Sequence, residues 1–168
     1  MAVLSPLSSS SSKTKPSISP RPSKYPIAYV EIRVFSHATE DVEKVQAAVR
    51  NILPEALAAE LSFSKSDLTG HHGNPITLLE LKLEDRKLLP SLLEKIGTAL
   101  GALDKEALAE EFKMRLEKRS LFLRFDKQSA YMGTIKLGSN DPIRIKIHFK
   151  NKTPQEIETI CKEAGLLP

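Results

Sequence analysis

The chain has 168 residues, 40% of them hydrophobic and 27% charged, which suits one domain with a real core and a tail. No apolar run approaches the roughly 20 residues of a membrane span. A single cysteine, Cys161, excludes an internal disulfide and a Cys-x-x-Cys zinc site and agrees with a reducing, cytoplasmic setting.

The net charge of +4 is carried by residues 1–24, which hold Lys13, Lys15, Arg21 and Lys24 and no acid, while the remainder is balanced at 21 residues of either sign. That Ser/Pro-rich segment has too little apolar surface to offset its ordering entropy, so a disordered basic tail is expected over 1–24 and one folded domain over 25–168. The first apolar stretch is also too short, and its charges too late, for a secretory signal.

From Tyr25 onward the hydrophobic period alternates between 2 and 3.6. Residues 27–35 read as a strand with Ala28, Val30, Ile32 and Val34 on one face and Tyr29, Glu31, Arg33 and Phe35 on the other. Thr39 is placed to cap a helix striped with Val42, Val45, Ala48, Val49 and Ile52. Residues 57–64 read two ways, their second half as a strand through Leu61 and Phe63. A Gly/His/Asn/Pro loop follows at 69–75, then a strand over 76–83 with Leu79, Leu81 and Leu83 inward.

Asp85 is expected to start a helix buried along Leu88, Leu89, Leu92, Leu93 and Ile96 and ended by Gly97 or Gly101. Asp104 is expected to cap the next one, over 104–118. Strands are expected at 120–125, 133–137 and 143–149, with a turn or short helix over 126–132 and a hairpin loop over 138–142. A last helix opens on the capping box of Thr153 and Glu156, with Pro154 at its first position, and closes at Gly165. Strands paired antiparallel with helices on one side make an α+β two-layer sandwich, which leaves the other sheet face open.

The segment 143–150 alternates apolar residues with Arg144, Lys146, His148 and Lys150, so these four are expected to form a cationic row along a strand at a spacing near the phosphate repeat of a nucleic acid. Residues 111–152, Arg124 among them, hold eleven basic residues against four acidic ones, so a neutral domain can still present a basic side. In the loop, Gly70, Gly73 and Asn74 permit backbone that offers N–H groups to phosphate, and His71 and His72 could stack on a base. His37, His71 and His72 lack the companions of a metal site, and there is no nucleophile elbow, phosphate loop or dinucleotide fingerprint. Cys161, beside Ile157 and Ile160, reads as a buried thiol. No catalysis, cofactor or metal is expected.

Three segments resemble a known family. His37-Ala38-Thr39-Glu40-Asp41 resembles the His-x-Thr-Glu signature of a family of archaeal RNA-binding proteins. Gly70-His71-His72-Gly73-Asn74-Pro75-Ile76 is similar to its Gly-x-x-Gly-Asn-Pro-Ile loop, and Asp126-Lys127-Gln128-Ser129-Ala130-Tyr131-Met132-Gly133 to its Asp-Lys-Gln-x-Ala-Tyr-x-Gly segment. The resemblance implies a fold like that of the ribosomal protein that contacts 5S rRNA, RNA as partner, and association with an RNA-processing assembly, the exosome. It also implies that Asp126, Lys127, Gln128 and Tyr131 lie at or beside a functional surface. The expected RNA contacts are therefore Arg124, Lys127, Gln128, Tyr131, Arg144, Lys146, His148 and Lys150, with His72 and Asn74 from the loop. Structured or double-stranded RNA is favoured because aromatic residues are only 5% of the chain. The alternative is a subunit of an RNA-processing complex that binds protein and not RNA.

Overall fold

The computed structural model describes residues 25–59 and 61–168, so the expected tail lies outside the described residues. The elements in order are β1 (Ile27–His37), α1 (Val42–Ile52), α2 (Glu55–Ala58), β2 (Ser64–Thr69), β3 (Pro75–Leu83) and α3 (Leu89–Ala99), then α4 (Ala102–Arg115), β4 (Leu116–Glu117), β5 (Ser120–Phe125), α5 (Lys127–Tyr131), β6 (Ile143–Phe149) and α6 (Pro154–Ala164). The strands form one sheet in the order β2-β3-β1-β6-β5-β4, every neighbouring pair antiparallel.

The period-2 patterns decide which face is covered. Val30, Ile32 and Val34 of β1, Leu79, Leu81 and Leu83 of β3, and Ile143, Ile145, Ile147 and Phe149 of β6 all enter one core with Leu121, Leu123 and Phe125 of β5. The stripes of α1, α3 and α6 close that core: Val45, Val49 and Ile52, then Leu89, Leu92, Leu93 and Ile96, then Ile157 and Ile160. This is the α+β architecture expected, with one sheet face left open. Cys161 is buried in the same core, and burial pushes its thiol up to about 12, which leaves it protonated and inert.

Element boundaries differ from expectation where a side chain takes a local partner. Asp41, not Thr39, caps α1: its carboxylate accepts the Glu43 N–H, while His37–Glu40 closes a turn (Glu40 N–H to His37 O, 2.9 Å). The helix expected from Asp85 begins at Leu89, because Asp85 first holds a turn through its own carbonyl and carboxylate. Gly97 does not end α3. It lies inside the helix at the crossing with α6, where a Cβ would fall 2.0 Å from the Ala164 carbonyl oxygen. Gly101 caps α4, and Asp104 in its first turn accepts the Leu137 N–H.

Residues 133–137 are not a strand, so 138–142 is not the hairpin loop expected. Asp126 accepts from both the Ser129 amide (2.8 Å) and hydroxyl (2.6 Å), which caps α5 and turns the chain off the sheet; only the bridge between Phe125 and Leu137 remains. Strand β2 falls at 64–69, later than the hydrophobic pattern placed it: Leu61 and Phe63 pack against the core, and the polar run after them pairs with β3 as an exposed edge. Lys65 and Asp67 on that edge oppose pairing with another chain. The capping box of Thr153 and Glu156 and the left-handed Gly165 (φ 94°) bound α6 as expected.

Candidate nucleic-acid interface

Antiparallel register turns the open face into rows that run across the strands. Arg33 of β1 is opposite Arg144 of β6, and Arg144 is opposite Arg124 of β5. The next row joins Lys82, Glu31, Lys146 and Phe122, and the one beyond joins Tyr29, His148 and Ser120. The dominant cationic line therefore runs perpendicular to the one expected along β6, because neighbouring strands lie about 4.8 Å apart and residues two apart in one strand about 6.6 Å.

Each cation differs in what it has left to offer. Arg33 pairs with Glu80 at 3.1 Å. Lys146 lies 3.5 Å from Glu31 and over the rings of Tyr29 and Phe122. Burial works against its charge, but the Tyr29 hydroxyl and the Glu31 carboxylate outweigh that and hold its pKa above the ordinary lysine value. Arg144 stands over the Phe35 ring at 5.9 Å, and neither Arg144 nor Arg124 has a carboxylate partner among the described residues. Like charges directly opposite across a sheet are destabilising, so this pair is a standing demand for an anion.

His148 is not a member of a cationic row. Burial, then Lys146 and Arg119, push its imidazole below the ordinary value against the pull of Glu31, so it is neutral near pH 7. Its ring stacks on Tyr29 at 4.8 Å, and its Nδ1 lies 2.8 Å from the Ser120 hydroxyl. Lys150 is exposed just past the end of β6, its N–H bonded to the Pro26 carbonyl, roughly 20 Å along the chain from Arg144.

The last turn of α4 and β4 runs up to the β5 edge and walls the face on one side. Between wall and sheet lies a hollow of ≈ 500 Å³ lined by Arg33, Arg115, Arg124, Arg144 and Lys146, with Glu31 and Glu117 as its carboxylates. Met114 (80% exposed) and Phe122 (39% exposed) give it apolar surface. Glu31 is taken by Lys146, and the Arg115 guanidinium is held by Glu111 at 2.7 Å.

The Asp-Lys-Gln segment builds a different place. Lys127 is only 11% exposed; its ammonium donates to the Phe35 carbonyl (2.7 Å), Asp141 (2.7 Å) and Glu40 (3.1 Å). It thus ties the His-x-Thr-Glu segment to the β5–β6 connection, and His37 completes the cluster at 3.1 Å from Asp141. His37, Glu40 and Asp141 bring donor atoms within 4.8 Å of one another, as a cation site would, but the Lys127 ammonium already pairs with both carboxylates. The Ser129 hydroxyl and amide hold Asp126 below the usual carboxylate range. Gln128 and Tyr131 face a shallow cleft with Glu40 and Lys44 between α1 and α5, away from the Arg124–Arg144 row. Asn51 fixes α5 there by donating to the Ala130 and Tyr131 carbonyls.

His72 and Asn74 sit at the tip of the β2–β3 hairpin, six or more residues, roughly 20 Å, beyond the Glu80 level where the arginine row crosses β3. Two loop amides are used inside the turn, Gly70 N–H to the Asn74 carbonyl and Gly73 N–H to the Gly70 carbonyl. The expected contacts therefore fall into four places: Arg124, Arg144, Lys146 and His148 on the sheet face, Lys127, Gln128 and Tyr131 at one end of it, Lys150 past the end of β6, and His72 with Asn74 at the hairpin tip. Arg33, Arg115, Phe122 and Met114 were not among the expected contacts. Strand register would have found Arg33 and Phe122; the approach of α4 is a tertiary fact with no sequence signal.

Fold and face together define a class: a one-layer antiparallel sheet backed by helices, with an arginine-lined open surface and no covering element among the described residues. Within that class the chain belongs to the RNA-binding family, whose model matches residues 29–149. It is similar to the RNA-binding protein PAB1135 of Pyrococcus abyssi, 31% identical over 136 residues that cover 79% of this chain and 88% of the relative. Among solved structures it is similar to Mth689 of Methanothermobacter thermautotrophicus, a DUF54 protein (28% identity, TM-score 0.66, 84% of this chain and 98% of that one). It is also similar to AF2318 of Archaeglobus fulgidus (27% identity, TM-score 0.68, 82% and 99%). No helix among the described residues is long and apolar enough to cross a membrane.

Proposed function

We propose that the protein binds structured RNA without catalysis, through the open sheet face. The observation that carries this reading is the pair of opposed arginines, Arg124 and Arg144, neither with a carboxylate partner among the described residues, inside a hollow lined by five cations and two carboxylates. A phosphate converts their mutual repulsion into two charge-assisted contacts, and guanidinium geometry suits it bidentately. Membership of the RNA-binding family supports the choice of polyanion.

The test is fluorescence anisotropy with the full chain on a hairpin RNA, a matched single strand and duplex DNA at near-physiological salt. The reading expects hairpin RNA to bind best and the combined change Arg124→Gln and Arg144→Gln to weaken it at least tenfold with an unchanged melting curve. Equal affinity of variant and parent for hairpin RNA would remove the face from the RNA surface.

A second reading, a subunit of an RNA-processing assembly, has one observation in its favour. Leu103 and Met114 are each 80% exposed and eleven residues apart on α4, hence on one side of it. Saturable binding of a protein subunit, lost in Leu103→Ser, is the result that would favour it.

A further inference from the structure

We infer that the walled hollow receives a single unpaired nucleotide of the bound RNA, its phosphate between Arg124 and Arg144 and its base between Phe122 and Met114. The inference rests on the RNA-binding reading and goes beyond it, since a face that only tracks a duplex needs no hollow. Three features separate the two.

The first is size. A hollow of ≈ 500 Å³ lies in the range of small-ligand sites, about 300–1,000 Å³, and has room for a nucleotide but not for a double helix. The second is enclosure. The arginine row crosses β1, β6 and β5 and then meets the wall formed by Met114, Arg115 and Glu117, so a backbone following the row must end or turn there. A bulge, a loop or a strand end supplies such a place; a continuous duplex does not.

The third is the order of chemistry. Phe122 stands two residues from Arg124 on the same face of β5, roughly 7 Å away, within the span of one nucleotide. It is 39% exposed although aromatic, and Met114, in the lining of the same hollow, is 80% exposed, so both offer apolar surface that the fold leaves uncovered. Lys146 lies over the Phe122 ring at 5.9 Å and stays cationic, adding charge at the edge of the stack. Among the described residues Arg124 and Arg144 are without carboxylates, whereas Arg33 and Arg115 on either side have theirs, so the uncompensated charge is local to one phosphate.

The experiment compares a blunt RNA hairpin with the same hairpin carrying one bulged nucleotide, using the full chain. A third RNA has an abasic residue at the bulge, and a fourth has 2-aminopurine there to report stacking. Loss of one base–aromatic stack is worth roughly fivefold to a hundredfold in affinity. The bulged hairpin is therefore expected to bind at least fivefold tighter than the blunt one, and the abasic RNA and Phe122→Ala are each expected to erase that gain. Phe122→Ala lowers affinity for the bulged hairpin more than for the blunt one, and 2-aminopurine is quenched on binding to the unaltered protein, a readout that does not depend on how the variant folds.

Equal affinity for bulged and blunt hairpins, with no quenching, would overturn the nucleotide site while leaving the RNA-binding face intact if Arg124→Gln with Arg144→Gln still weakens both. No binding of either hairpin by the unaltered protein would overturn both readings. Free adenosine monophosphate binding as tightly as the bulged hairpin would also overturn the inference, by making the hollow a small-molecule site.

Discussion

Lys127 shows how a motif residue can be held for a reason other than contact. Its ammonium has three acceptors on three separate segments, and its side chain is nearly out of solvent. Replacing it leaves Glu40 and Asp141 facing each other and the Phe35 carbonyl without its donor. Removing one partner of a buried ion pair costs most because the other charges are left uncompensated; both carboxylates here are about one-third exposed, which reduces the penalty. Lys127→Met is expected to lower stability by about 2 kcal/mol in urea titration, with little change in RNA affinity of the folded protein. A loss of affinity at unchanged stability would return Lys127 to the RNA surface. Arg124 presents the opposite case, a charge with no carboxylate partner among the described residues, and that contrast separates the two residues more clearly than their closeness in sequence.

Among the elements, the approach of α3 to α6 depends on one position. Gly97 lets the two backbones close to a distance that no side chain would permit, with the Ala164 carbonyl and Gly165 directly over it. Only backbone lies in the way, so relief requires moving a helix. Gly97→Ala is expected to destabilise the fold by about 2 kcal/mol or more, read as a lower thermal midpoint. An unchanged midpoint would mean that α6 is loosely seated. The same element sets the scale of the core behind β1 and β6, the strands that carry Arg33 and Arg144. Lys95 of α3 donates to the Asn51 and Leu53 carbonyls at the end of α1, so one helix fixes two others. Burial lowers the pKa of that lysine, a cost accepted for satisfying carbonyls that a helix end leaves open.

At the scale of the molecule, charge is divided between a basic segment at 1–24 and a balanced remainder with a cationic face. The two sources differ in what they can discriminate. Deleting 1–24 is expected to weaken all nucleic acids alike at low salt and to leave the preference for hairpin RNA over duplex DNA unchanged. Arg144→Gln is expected to flatten the plot of log affinity against log salt by about one phosphate contact. A salt series on the three proteins checks both. If the preference disappears with 1–24, selectivity belongs to that segment and not to the sheet.

The alternation in 30–35, 76–83 and 143–149 and the stripes of the helices were legible from residue order alone, because burial on one face imposes a period of 2 or 3.6 whatever the tertiary partner; at the start of β1 a register shift buries Ile27 in place of the expected Ala28. So was Gly165, since a left-handed helix end needs a residue without a Cβ. The short helix over 126–132 was legible, but the strand at 133–137 was misread: the chain leaves α5 through the left-handed Gly133 (φ 89°) and meets β5 only at the Phe125–Leu137 bridge, which apolar pattern does not register. Gly97 read as a helix end because glycine has the same signature there as at a close crossing. The cationic row was found on β6 but with the wrong direction: sequence carries periodicity within a strand, while Arg33, Arg144 and Arg124 come from three segments and meet only through register. The wall of α4 and the neutral state of His148 depend on what packs beside them. Thus sequence by itself determined most of the elements, the core face and the sign of the open face. Tertiary structure decided which charges are already paired, which are left for a ligand, and that the surface has a hollow, since pairing and enclosure are properties of distance between segments and not of order along one.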